Sequence, residues 1–79
     1  MREKHPRLVV AFSTTTAAMA FEAYCGAHQI PGRLIPVPRE ITAGCGLAWS
    51  APPDARPALE KAAATLNTAV DGYYELMLV

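Results

Sequence analysis

A chain of 79 residues has room for one hydrophobic core, which excludes two-domain enzyme architectures. Hydrophobic residues make up 52% of it and charged residues 18%, the composition of a packed globule and not of a disordered tail. Seven Lys and Arg balance seven Asp and Glu, so the net attraction to a phosphate backbone on which nucleic-acid binders depend is missing.

The start of the chain is charged, and the apolar run that follows, Leu8 to Phe12, is too short for a signal sequence or a membrane span. The run is β-branched, lies between Pro6 and Ser13, and predicts a strand buried on both faces. A helix follows, with Ser13 or Thr14 accepting from its first amides. Ala17, Ala20, Phe21, Tyr24 and His28 recur along one face of it at helical spacing. It ends before Pro31-Gly32. Arg33 to Val37 predicts a second strand, placed at an edge because Pro36 and Pro38 donate nothing to a ladder. Residues 38–46 connect it to a third strand, Leu47 to Ser50, which Pro52-Pro53 stops. Asp54 is read as the cap of a second helix with Pro57 in its first turn and Leu59, Ala62, Ala63 and Leu66 facing the core. Asp71-Gly72 reads as a turn into a last strand, in which Tyr74, Leu76 and Leu78 alternate with Tyr73, Glu75 and Met77 and Glu75 faces solvent.

The order β-α-β-β-α-β predicts a single α+β domain over residues 1–79, with 1–7 as an N-terminal extension. The fold is ferredoxin-like: a four-stranded antiparallel sheet in the order 4-1-3-2, with two helices on one face. The other face has no helix to cover it, which predicts a partner protein there or a homodimer through that face or an edge strand.

Two cysteines are too few for a secreted disulfide scaffold of this size and point to the reducing cytoplasm. With His5 and His28 lacking paired spacing, no zinc site is expected. There is no phosphate-binding glycine loop, no Ser-His-Asp set and no cofactor motif. The unusual segment is Gly44-Cys45-Gly46, a thiol on an unencumbered backbone. A buried cysteine acting as a small hydrophobe beside a bulge is the bland alternative.

The topology argues for reactivity. It puts the start of the third strand at the same end of the sheet as the start of the first helix, so Cys45 is expected within about 10 Å of Ser13, Thr14, Thr15 and Thr16. Free helix amides and Arg39 would there favour a thiolate. Ser13 and the threonines read more readily as a cap than as a catalytic set. Arg33 and Arg39 are equally readable as solvated edge charges, with Glu40 paired to one of them. Cys25 lies beside the helical stripe and reads as structural, His28 as a charge near a helix C-terminus, and Trp49, Tyr73 and Tyr74 as core or interface.

The run from Gly32 to Ala48, with Pro-Arg-Glu-Ile at 38–41 and Cys-Gly-Leu at 45–47, resembles the selenium/sulfur carrier protein-like family of small bacterial proteins. Thr15, Ala18, Met19 and Glu22 at the helix start and Ile30-Pro31 at its close extend the likeness to about Leu8–Leu76. The resemblance implies that Cys45 holds sulfur or selenium as a persulfide or selenopersulfide and passes it from a donor enzyme to an acceptor protein. Gly44, Gly46, Arg39, Glu40, Thr42, Ser13, Thr14 and Thr15 would support it. Gln29 stands where the family commonly has glycine, Pro57 is unusual at a helix start, and Cys25 lies outside the shared motif, which leaves a role as resolving thiol open. No separate general base is present, so the implied role is that of a transfer partner and not of an enzyme. The alternative is a ligand- or protein-binding module, in which the glycine-rich end and the arginines hold a small anion or a peptide and Cys45 is merely packed.

Overall fold

A computed structural model describes residues 3–41, 46–68 and 70–78. Among them four strands and two helices follow the predicted order: β1 (His5–Phe12), α1 (Thr15–Ala27), β2 (Arg33–Pro36), β3 (Leu47–Ala51), α2 (Arg56–Leu66) and β4 (Val70–Leu78). The strands form one antiparallel sheet in the order β2-β3-β1-β4, the predicted arrangement, and the fold is α+β and ferredoxin-like. β1 runs down the centre, and Leu8 to Phe12 have no exposed surface, as a continuous apolar run requires of a strand flanked on both sides.

Several boundaries differ from the sequence reading. β1 begins at His5 and takes in Pro6. This is possible because β3 joins β1 only from Leu8 onward, so the first three residues are paired on one side only and a missing donor is tolerated. Asp54 does not cap α2. It lies inside a 3-10 turn, Pro53–Ala55, that leads into the helix without a side-chain cap. Asp71-Gly72 is not a turn but part of β4. The register moves from Ala11 opposite Gly72 to Phe12 opposite Val70, so Asp71 is the extra residue of a β-bulge.

The face of α1 is also rotated from the expected one. Ala18, Phe21 and Cys25 are fully buried and Ala17 and Tyr24 partly so, whereas Ala20 and His28 are exposed. On the helix side of the sheet, Leu8, Val10 and Phe12 pack with these residues and with Leu59, Ala62 and Ala63 of α2. Phe21 joins the layers: its ring lies 5.1 Å from that of Phe12 and 5.8 Å from that of Trp49, edge-on to the latter. Trp49 is thereby a core residue, and its indole N–H donates to the Pro31 carbonyl at 3.3 Å. Gly32 makes the close approach possible. Its φ is +128°, and a Cβ there would stand 2.3 Å from the indole nitrogen, so no other residue fits.

The opposite face is not bare. Val9, Ala11 and Ala48 are fully buried on that side, and the connection after β2 lays Ile41 over them, itself only 5% exposed, with Ile35, Val37, Leu76 and Leu78 around the cluster. The face predicted to lack a cover has one at its centre, supplied by the loop that leads to the cysteine.

Candidate functional site

The segment 42–45 lies outside the described residues, and with it Thr42, Gly44 and Cys45; the chain on either side of it is tied to the sheet. On the entry side Val37 and Pro38 leave β2, and the Ile41 amide donates to the Pro38 carbonyl at 2.9 Å. That bond closes a β-turn with Arg39 and Glu40 at its two corners. Both corner residues are exposed, as a turn projecting from the sheet dictates. On the exit side the Val37 amide donates to the Gly46 carbonyl at 2.9 Å, which adds one rung beyond the Pro36–Leu47 pair. Gly46 has φ +76°, and the space where a Cβ would stand is empty. Its glycine therefore answers a demand of the backbone, and not a shortage of room.

The register fixes which end of the sheet this is. Ala48 faces Ala11, so Leu47 and Gly46 stand level with the end of β1, where the chain turns into α1. The first turn of that helix is held by its own side chains. Thr14 is the N-cap, its hydroxyl accepting from the Ala17 amide at 3.1 Å, and the Ser13 hydroxyl donates to the Asp71 carboxylate in the β4 bulge. The Ser13–Asp71 bond joins the end of β1 to β4. Thr15 opens the helix and is exposed, and no acidic residue sits in the first turn itself; the carboxylate that the chain brings to this positive end of the helix dipole is that of Asp71, held through Ser13 just before the cap. Of the residues singled out in the sequence, Gly46, Ser13, Thr14 and Thr15 share this end of the molecule, and Arg39 and Glu40 cap the connection.

Other expectations separate. Among the described residues the one ion pair is Arg56–Glu60, at 3.1 Å, so Glu40 pairs with neither Arg33 nor Arg39. Arg33 faces Ser50 on β3, three residues before the Pro36–Leu47 pair, and thus stands toward the far end of the sheet. The two arginines do not converge on the glycine-rich segment.

Cys25 is fully buried on the helix side of the sheet, whereas Ile41 packs on the opposite side. Burial pushes its thiol up from 9.0 to about 11, the reverse of what a nucleophile needs. His28 is the C-cap of α1 and stacks on Tyr24 at 4.1 Å. Tyr73 lies under the Arg56 guanidinium at 5.3 Å.

No group of three or more His, Cys, Asp or Glu is arranged to hold a metal among the described residues, and no described helix is long and apolar enough to cross a membrane. Sequence reasoning passed over one polar feature: Arg7 donates from Nε to the Ser50 hydroxyl at 3.1 Å across the open face. The alternation of His5, Arg7 and Val9 along β1 was the signal available, since period-2 spacing places all three on one side.

A family model described as "Putative Se/S carrier protein-like" matches residues 7–75. No curated protein and no solved structure matches the chain.

Proposed function

Since the chain belongs to the "Putative Se/S carrier protein-like" family, we propose that it carries sulfur or selenium on Cys45 as a persulfide or selenopersulfide. In this reading it works in the cytoplasm, accepts the atom from a donor enzyme and yields it to an acceptor protein, without catalysis of its own. The observation that carries the reading is the family match, which spans the Pro38-Arg39-Glu40-Ile41 and Cys45-Gly46-Leu47 runs.

The proposed step is an exchange. Cys45 gives up its proton to solvent, and the thiolate attacks the outer sulfur of a persulfide on the donor's cysteine. One S–S bond forms on Cys45, the donor's S–S bond breaks, and the donor leaves as a thiolate that takes up a proton. Nothing is oxidised or reduced overall, and delivery to the acceptor is the same exchange in reverse. Loading with selenium follows the same balance, with an Se–S bond in place of S–S.

Two features support an ionised thiol: the start of α1 at this end of the sheet, whose first turn holds no acidic residue of its own, and Arg39 at the turn leading into the segment. In the sequence Gly44 and Gly46 flank Cys45 with no side chain of their own to crowd an extra atom, and Thr42 and Glu40 belong to the same run. Cys25, held protonated in the core on the helix side of the sheet, is assigned no part in transfer.

Intact-mass measurement after exposure to a persulfide or selenium donor tests the reading. Wild type and Cys25→Ser are expected to gain one sulfur or selenium atom, and Cys45→Ser none. The alkylation rate of Cys45 is expected to titrate below the usual thiol range of about 8.5 to 9, and Arg39→Ala to raise that midpoint by about one unit or less. Uptake that survives Cys45→Ser, or a Cys45 thiol that resists alkylation until the protein unfolds, would overturn the carrier and leave a binding module.

A further inference from the structure

At the end of the sheet away from the cysteine segment, the open face carries a cleft of about 270 Å³ lined by His5, Arg7, Arg33, Ser50 and Leu78. Three of these five side chains can carry positive charge. None of the chain's seven acidic residues lines it, although the chain as a whole is neutral, and neither arginine forms an ion pair among the described residues. Like charges gathered on one sheet face repel one another, so the cluster is a cost to the folded state unless an anion offsets it.

The framework is set by strand pairing. Arg33 stands on β2 directly opposite Ser50 on β3, and β1 flanks β3 on its other side. The two arginines therefore rise from strands about 9.5 Å apart, two inter-strand spacings, with Ser50 between them. The Ser50 hydroxyl is nearly buried and accepts from Arg7 Nε, which fixes the plane of that guanidinium and leaves its two terminal nitrogens to donate elsewhere. Leu78, opposite His5 on β4, forms the apolar wall.

We propose that this cleft binds a small tetrahedral oxyanion, of the phosphate or sulfate type, clamped between Arg7 and Arg33. Donors approach from both sides of β3 and from His5. A tetrahedral anion has oxygens directed toward all of these, whereas the two oxygens of a carboxylate lie in one plane and match one arginine fork at a time. The volume falls below the roughly 300–1,000 Å³ of sites that enclose a whole small molecule, so the recognised unit is the oxyanion group itself. The proposal is independent of Cys45, since the cleft shares none of its residues with that segment.

Amide chemical shifts of the full chain, followed at constant ionic strength, test it with inorganic phosphate, sulfate, phenyl phosphate and succinate. Saturable shifts at Arg7, Arg33 and Ser50 are expected with phosphate and sulfate at millimolar concentration or below, and weaker ones with succinate. Phenyl phosphate binding as tightly as inorganic phosphate identifies the group as part of an ester ligand; clearly weaker binding identifies the free ion. Arg33→Ala, at an exposed position, should weaken binding about tenfold or more. Arg7→Lys keeps the charge but not the fork and should weaken it too, without the loss of fold that Arg7→Ala risks. Lys61→Ala, which removes the same charge from the helix side, should change nothing. Shifts that do not saturate by about 50 mM, or that Lys61→Ala reduces as much as Arg33→Ala does, would overturn the proposal.

Discussion

Burial alone sets the chemistry of Cys25. Its side chain sits among Phe21, Leu59 and neighbouring core residues without exposed surface, and desolvation of the thiolate holds the proton on until about pH 11. In the unfolded chain the same thiol ionises near its ordinary value of 9.0. The folded state thus retains a proton that the unfolded state has already lost, and stability must fall as pH rises between those two values. Below pH 9 the contribution is complete; above 11 it is gone, a loss on the order of 2–3 kcal/mol. Tyr73 adds to the same trend, its phenol raised by burial and then by Glu60 against the opposing pull of Arg56. Urea unfolding followed from pH 8 to pH 11 is expected to show this decline, and Cys25→Ala to remove part of it. An unchanged slope in Cys25→Ala would mean that the proton is not held by the core.

The helices show how an element can be legible in its span and misread in its orientation. α1 was expected between Thr14 and Pro31 and spans Thr15–Ala27. Its C-terminus carries a Schellman bond, from the Ile30 amide to the Cys25 carbonyl at 2.9 Å, with Gln29 in the left-handed region at φ 56°. A residue with a Cβ is strained there by about 1–2 kcal/mol, which gives a physical reason for the glycine common in the family. Gln29→Gly is therefore expected to stabilise the protein by about 0.5–1 kcal/mol, since glycine also loses more freedom on folding; thermal unfolding checks it, and an unchanged or lower midpoint contradicts it. The buried face of α1 was harder to read. Five of its thirteen residues are alanine, so apolar positions surround the axis and spacing alone does not decide between Ala20 with His28 and Ala18 with Cys25. The strands were legible because β-branched runs and prolines mark them. The bulge at Asp71 was not, since Asp-Gly is an ordinary turn signal and only the long register of β1 against β4 shows otherwise. For the site, the motif around Cys45 and the Thr14 cap were visible in the chain. The separation of Arg33 from Arg39 and the pairing of Arg7 with Ser50 depend on strand register, which local sequence does not encode.

At the scale of the whole molecule, the open face no longer motivates a homodimer by itself, because Ile41 already covers Val9, Ala11 and Ala48. The remaining candidate is the edge of β4. β2, at the other edge, is four residues long and ends in Pro36, which blunts it against pairing. β4 is nine residues long, has no proline, and carries Tyr74 and Met77 at 37% and 54% exposure. Beyond the bulge at Asp71 the edge runs on from Gly72 to Leu78, about 23 Å, and presents a row of unpaired backbone groups. Two copies paired antiparallel about Tyr74 would satisfy them, stack the two tyrosines across the axis and set Glu75 opposite Tyr73 and not opposite its own charge. Light scattering is expected to report a dimer at micromolar concentration. Tyr74→Lys, an exposed substitution that leaves the core untouched, should give a folded monomer, because it places like charges face to face at the centre of the pairing. A wild-type chain that stays monomeric at high micromolar concentration would remove the homodimer and leave the β4 edge to a different protein. A Tyr74→Lys dimer as stable as wild type would instead place the interface elsewhere on the surface.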